Sequence, residues 1–133
     1  MTPFLALGDA RFVSLTTFRR SGDPVSTPVW VARDGDALVV LTPAGSGKVK
    51  RLRADARVEL RPCGRFGRVA DGVEPVPGTA QLREDPPGVE HARAVIRRGY
   101  PIESRLVLGI ERLAERLRGQ PRTQRLAVRL TPS

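Results

Sequence analysis

The sequence is poor in the residues on which most protein chemistry depends. Its 133 residues include one cysteine (Cys63), one histidine (His91), one tryptophan (Trp30) and one tyrosine (Tyr100). A single cysteine excludes an internal disulfide. One histidine beside one cysteine supplies no ligand set for a protein zinc site, so no metal is expected. No Ser/His/Asp set, paired-carboxylate site or activated thiol stands out as catalytic machinery. No apolar run approaches the roughly 18–20 residues of a membrane span. The first residues lack the basic start and apolar stretch of a secretory signal, which makes a cytoplasmic location the expectation. A chain of this length is expected to form one domain, residues 1–133, around one core.

Positive charge, by contrast, is abundant. Lys and Arg number 23 against 14 Asp and Glu, a formal net charge of +9, so an anionic partner is considered before a neutral one. The surplus is local: residues 46–68 carry eight basic side chains against Asp55 and Glu59, which accounts for six of the nine excess charges. At the head of this segment lies Ser46-Gly47-Lys48-Val49-Lys50-Arg51-Leu52-Arg53, after the apolar run Leu38-Val39-Val40-Leu41-Thr42 and the break Pro43-Ala44-Gly45. A small-residue turn opening into a basic helix suits a phosphate. The first helical turn presents free N–H groups, the helix dipole favours negative charge, and Lys48 or Arg51 can add an ion pair.

The rest of the chain reads mainly as strands. A short lead-in over 2–8 precedes a strand at Arg11–Phe18, rich in β-branched and aromatic residues. After the turn at 20–24, Val25–Arg33 alternates Val25, Thr27, Val29 and Val31 with Ser26, Pro28, Trp30 and Ala32, predicting one continuous second strand. Pro28 cannot donate to a ladder, which places this strand at an edge or bulge where Trp30 is displayed. Asp34-Gly35-Asp36 signals a hairpin into a third strand at Ala37–Thr42. A helix over about 46–54 and a fourth strand at Arg57–Cys63 follow.

A fifth strand spans Val73–Arg83, with Gly78 marking a bulge or close backbone approach. Asp85-Pro86-Pro87-Gly88 halts the sheet, and Val89, Ala92 and Ile96 share a helical face up to Gly99-Tyr100-Pro101. An amphipathic helix within 103–118 follows, and Leu126, Val128 and Leu130 mark a sixth strand. Antiparallel hairpins in so short a chain favour a small barrel that hides its own edges, and helices do not alternate with strands as a doubly wound sheet requires.

Four stretches, taken in order, carry a resemblance: Phe12–Arg20, Asp23–Val31 with its Ser26-Thr27-Pro28-Val29-Trp30, Ser46–Arg53, and Val58–Cys63. Together they resemble the flavin/deazaflavin split-barrel superfamily. Within it they are most similar to the PPOX class of deazaflavin-dependent oxidoreductases, related to pyridoxamine 5'-phosphate oxidase. The resemblance is strong over about residues 10–65 and holds elsewhere only in the order of elements. It implies a mainly β (α+β) fold, a six-stranded antiparallel split β-barrel with a short helix after the third strand and two helices before the last. It also implies a homodimer with the cofactor, coenzyme F420 or alternatively FMN, in a groove at the interface.

By the same resemblance, the phosphate falls to Ser46, Gly47 and Lys48, with Arg51 in support and Thr42 at the strand end. The ring lies against Thr27, Pro28, Val29 and Trp30. An oligoglutamate tail on F420 would suit Lys50, Arg53, Arg65 and Arg68. The implied reaction moves a hydride between reduced F420 and a small unsaturated or imine-containing acceptor; the cofactor carries the difficult chemistry, and no catalytic side chain is assigned.

Plainer readings stand beside these. Lys48 and Arg51 can be solvated helix charges, Trp30 a core or dimer-interface residue, Cys63 a passive thiol, His91 a surface residue, and Tyr100 a hinge or packing residue. A non-catalytic F420 carrier on the same fold is an alternative function. A nucleic-acid-binding domain is another, disfavoured because only Phe66 lies near the basic segment to stack a base and no known recognition signature is present.

Overall fold

The structure, a computed structural model, describes residues 3–10, 12–99 and 125–133. A one-turn helix α1 (Pro3–Ala6) and a 3-10 turn (Leu7–Asp9) lead into strand β1 (Phe12–Phe18). Strands β2 (Pro24–Val29), β3 (Ala32–Asp34) and β4 (Ala37–Pro43) follow, then helix α2 (Gly47–Ala54) and strands β5 (Arg57–Cys63) and β6 (Val76–Arg83). Helix α3 (Pro86–Gly99) and strand β7 (Arg125–Pro132) complete the described elements. The helix expected within 103–118 and the hinge at Tyr100 fall outside the described residues. Among the described residues no helix is long and apolar enough to cross a membrane.

All seven strands form one antiparallel sheet in the order β2-β1-β5-β6-β7-β4-β3. Its two edges, β2 and β3, are consecutive in the chain and separated only by Trp30 and Val31. Three residue steps span at most about 11 Å. The sheet must therefore curl until its edges nearly meet, which makes it a split barrel.

The same geometry explains why the described residues form seven strands and not the expected six. The alternation of Val25–Arg33 runs on unbroken, but the ladder partner changes from β1 to β4 across Trp30-Val31, dividing one predicted strand into two. Trp30 packs with the outer apolar cluster, whereas Val31 is fully buried in the barrel interior. The edge position inferred from Pro28 holds: β2 pairs with β1 alone, Pro28 standing opposite Ser14.

Two apolar clusters hold the elements. Inside the barrel, Val13 and Leu15 of β1, Val58 and Leu60 of β5, and Val128 and Leu130 of β7 meet Leu52 of α2. Phe4 and Leu7 close this interior from the chain start. Phe4 can seat there because Gly78 has no side chain: a Cβ at that position would lie 3.1 Å from the Phe4 ring, 3.2 Å from Val58 Cγ2 and 3.0 Å from the Thr131 carbonyl. The close approach expected at Gly78 is thus real.

Outside the barrel, Ala92, Val95 and Ile96 of α3 cover Ala32, Val39 and Ala127. This helix begins at Pro86, three residues before the expected start. Asp85 caps it, its Oδ2 accepting the Gly88 N–H at 2.9 Å, and proline is tolerated in a first turn whose N–H groups have no helical partner. The motif read as a stop for the sheet is also the start of the helix.

Candidate functional site

Where the two edges approach, the barrel opens into a cleft of about 310 Å³. Its walls are apolar: Phe12 of β1, Pro28 and Val29 of β2, Trp30, Leu41 of β4 and Ile96 of α3. The Phe12 and Trp30 rings stand 6.4 Å apart at 50°, a tilted aromatic pair. Thr42 and Pro43 continue the wall, and Lys48, Arg65 and Arg125 supply its charge. Among the described residues that line it, none is acidic.

Lys48 enters from α2. Its ammonium donates to the Thr27 hydroxyl at 3.1 Å, and among the described residues it has no carboxylate partner. Burial, reinforced by the neighbouring Arg51 charge, pushes the Lys48 ammonium below the ordinary lysine pKa of 10.5. A half-buried cation among hydroxyls and apolar walls is costly to hold charged unless an anion joins it. Burial and repulsion from Arg93 likewise lower the pKa of Arg125.

The sequence-predicted residues separate into three groups. Pro28, Val29, Trp30, Thr42 and Lys48 line the cleft together. Thr27 and Ser46 stand just behind the wall: Thr27 holds Lys48, and the Ser46 hydroxyl pairs with that of the buried Thr42 at 3.2 Å. Ser46 precedes α2 in extended backbone but makes no side-chain cap, its hydroxyl being engaged with Thr42. Gly47 and Arg51 do not line the cleft. Arg51 Nε donates at 2.6 Å to Thr17, whose hydroxyl is fully buried, so the guanidinium satisfies a polar group inside the barrel. A Cβ on Gly47 would lie 2.8 Å from Arg51 Nη1, so the glycine leaves room for that guanidinium at the head of the helix.

Phe12, Leu41, Pro43, Ile96 and Arg125 were not singled out from sequence as site residues. Arg125 is brought there by register, standing opposite Pro43 in the β4–β7 ladder. That pairing joins segments more than eighty residues apart and has no local signal.

The remaining basic residues of 46–68 do not form a continuous strip. Arg53 pairs with Glu84, Arg57 with Asp55 while lying 4.0 Å over the Phe18 ring, and Arg61 donates to the Val73 carbonyl. Cys63 is half-buried, which pushes its thiol pKa up and makes it a poor nucleophile. His91 is exposed on α3 and contacts Asp34 Oδ2 at 2.8 Å, away from the cleft lining.

The residues present fit a flavin-type group. Aromatic and aliphatic walls suit a planar ring, and a half-buried lysine among the hydroxyls of Thr27, Thr42 and Ser46 suits a phosphate. A seven-stranded antiparallel sheet curled until its edges meet, with such a cleft at the seam, defines the PPOX split-barrel class. The chain belongs to the pyridoxamine 5'-phosphate oxidase family, whose sequence model matches residues 4–130. No curated protein matches the chain significantly.

Solved structures share the fold. An F420 reductase is 17% identical, with 100% of this chain and 95% of that one covered at a TM-score of 0.61. A putative pyridoxamine 5'-phosphate oxidase from Listeria innocua is 16% identical, covering 96% and 87% at 0.61. A conserved hypothetical protein from Mycobacterium tuberculosis is 21% identical, covering 99% and 81% at 0.65.

Proposed function

We propose that the cleft binds a flavin-type cofactor, coenzyme F420 in preference to FMN, and that the protein is an oxidoreductase acting on a small unsaturated or imine-containing acceptor. The observation that carries this reading is Lys48: a half-buried ammonium whose protein partner is a hydroxyl, aimed into a cleft walled by an aromatic pair. When bound, the reduced cofactor supplies a hydride to one atom of the C=C or C=N bond, and a solvent proton completes the reduction at the other atom. The protein's part is binding, orientation and exclusion of water.

Lys48 neutralises the phosphate, with Thr27 holding its ammonium in place and Thr42 and Ser46 offering hydroxyls close by. Trp30, Phe12 and Pro28 confine the ring. Support for F420 over FMN comes from the F420 reductase among the similar folds and from Lys50, exposed on α2 beside Lys48, which suits an acidic tail. Arg53 is taken up by Glu84 and adds little to that charge.

The proposed assembly is a homodimer with the cofactor at the interface. A cleft of about 310 Å³ is at the small end for a cofactor pocket, and it opens beside the exposed outer face of β2, so a second copy would complete its walls. Among the described residues Arg51, Arg53 and Arg57 are taken up by Thr17, Glu84 and Asp55, which breaks the basic segment into separate charges and does not favour nucleic acid as the partner.

Titration of the purified protein with F420 and with FMN tests the reading, because Trp30 is the sole tryptophan and its fluorescence reports on the cleft. Saturable quenching by F420, followed by acceptor-dependent reoxidation of the reduced form, is expected. Tight F420 binding without turnover on any acceptor would make the protein a carrier. Binding of oligonucleotides with steep salt dependence, and of neither cofactor, would overturn the proposal.

A further inference from the structure

The cleft holds more positive charge than one phosphate requires. Lys48, Arg65 and Arg125 all line it, and the strand register separates the points from which the first two enter. Lys48 meets Thr27, which stands opposite Leu15 in the β1–β2 ladder. Arg65 belongs to the turn after Cys63, and Cys63 stands opposite Phe12 in the β1–β5 ladder. Leu15 and Phe12 are three residues apart on β1, about 10 Å of strand. The aromatic pair of Phe12 and Trp30 therefore lies toward the Arg65 end.

The turn that carries Arg65 is well defined. Gly67 N–H donates to the Gly64 carbonyl at 3.0 Å and Gly64 N–H to the Arg68 carbonyl at 3.0 Å, which closes a tight reversal. Gly67 has φ +87°, a conformation open to glycine, and a Cβ there would sit 3.4 Å from the Pro28 ring. Arg65 is thus held at the cleft mouth by backbone geometry. Its side chain is exposed and has no ion-pair partner among the described residues, unlike Arg53, Arg57 and Arg83, which each have a carboxylate. The adjacent Phe66 is 92% exposed, so the turn also presents an aromatic edge beside that cation.

We infer that Arg65 is a specificity-determining residue that makes the site selective for acceptors bearing a carboxylate next to the reducible bond. The inference rests on the cofactor reading of the cleft for its placement of the acceptor at the Trp30 end. With the phosphate held by Lys48, the guanidinium of Arg65 is left to meet the anion of the second ligand, and guanidinium matches carboxylate in a bidentate fork. An apolar cleft lined by cations and, among the described residues, by no acidic side chain concentrates such anions. The register argues against Arg65 serving a cofactor tail, because a tail attaches beyond the phosphate, toward Lys48 and away from Phe12.

Calorimetric titration with trans-cinnamate and with cinnamamide, performed on the protein alone and saturated with FMN or F420, tests this. The acid is expected to bind at least about tenfold more tightly than the amide, the scale of one charge-assisted contact. That ratio should fall to within about twofold in Arg65→Gln and to an intermediate value in Arg65→Lys, which keeps the charge but loses the fork. Equal binding of acid and amide by the wild type, or a ratio unchanged in Arg65→Gln, overturns the inference even if both cofactors bind. Weaker F420 binding with unaltered FMN binding and an unaltered ratio in Arg65→Gln assigns Arg65 to the tail and also overturns it. A preference for the acid that depends on Arg65, in a protein that binds neither cofactor, sustains the anion selectivity and removes the proposed oxidoreductase function instead.

Discussion

Lys48 and Thr27 lie 21 positions apart in sequence, and the lysine Nζ donates to the threonine Oγ1 at 3.1 Å. This bond joins the basic helix to the edge strand and fixes where the cation points. Thr27 therefore acts by positioning Lys48, in addition to preceding Pro28 in the edge strand.

Lys48→Ala is expected to weaken cofactor binding by about 1.5–3 kcal/mol, the range for a hydrogen bond to a charged group. The variant should keep its thermal midpoint, since it removes a half-buried charge and leaves only a hydroxyl behind. Fluorescence titration and a melting curve measure both. Unchanged affinity would move the phosphate to another part of the molecule.

The Lys48 ammonium also sets a pH signature. Its pKa is lowered in the folded state, so between that value and the unfolded 10.5 the folded chain binds fewer protons than the unfolded one. Stability from this group thus rises with pH through that window, and the cost of the buried charge is present in full below it. Anion affinity runs the other way, falling as pH rises into the window. Titrations repeated at increasing pH should show that fall, and Lys48→Arg should postpone it to higher pH.

Trp30 packs against the outer cluster under α3 and also lines the cleft. Trp30→Phe should retain the fold while changing cofactor affinity. If the indole serves only an interface between copies, sedimentation will show a concentration-dependent loss of dimer and titration will show no change in affinity.

Gly78→Ala is expected to destabilise the barrel by about 1–3 kcal/mol, the cost of overpacking a filled core. The added methyl meets Phe4, Val58 and the Thr131 carbonyl at once, and the carbonyl cannot yield. Chemical denaturation measures the loss. A companion Phe4→Leu substitution should recover only part of it, because the clash with the backbone oxygen remains.

Asp34 accepts hydrogen bonds from His91 and Arg129 at 2.8 Å each and so ties α3 and β7 to the β3–β4 hairpin. Burial raises its carboxyl pKa, but the hydrogen bonds and charges of His91 and Arg129 outweigh that and hold it below the ordinary 3.8. Its stabilising contribution is present above 3.8 and is lost as pH falls through the lower folded value. Asp34→Asn should cost about 1–2 kcal/mol at neutral pH, a range reduced for the exposure of His91, and should flatten the acid limb of a stability profile taken from about pH 5 to about pH 2.

Local signals in the sequence located most of the fold. The alternation of Arg57–Cys63 marks β5 to the residue, and Pro28 on its own identifies an edge strand. What local signals could not show was any change of neighbour. Val25–Arg33 alternates without interruption while its ladder passes from β1 to β4, since periodicity reports which face a residue takes and is silent about its partner. The site divides along the same line. Lys48, Pro28 and Trp30 were legible because their types or neighbours are unusual, whereas Phe12, Ile96 and Arg125 read as ordinary strand or helix residues until register gathers them. Arg51 shows the opposite case: its place in the basic segment suggests a phosphate ligand, yet a buried threonine 34 positions away takes its Nε.

The seam at Trp30-Val31 has a thermodynamic consequence. The cleft draws on β1 and β2 at one edge of the sheet and on β4 near the other, so a molecule lodged in it touches both sides of the place where the barrel shuts. Occupancy and closure are then linked equilibria. Every tenfold rise in free ligand above its dissociation constant adds about 1.4 kcal/mol against opening, and hydrogen exchange in β2 and β3 should slow in proportion, before exchange in the central strands β5 and β6 responds.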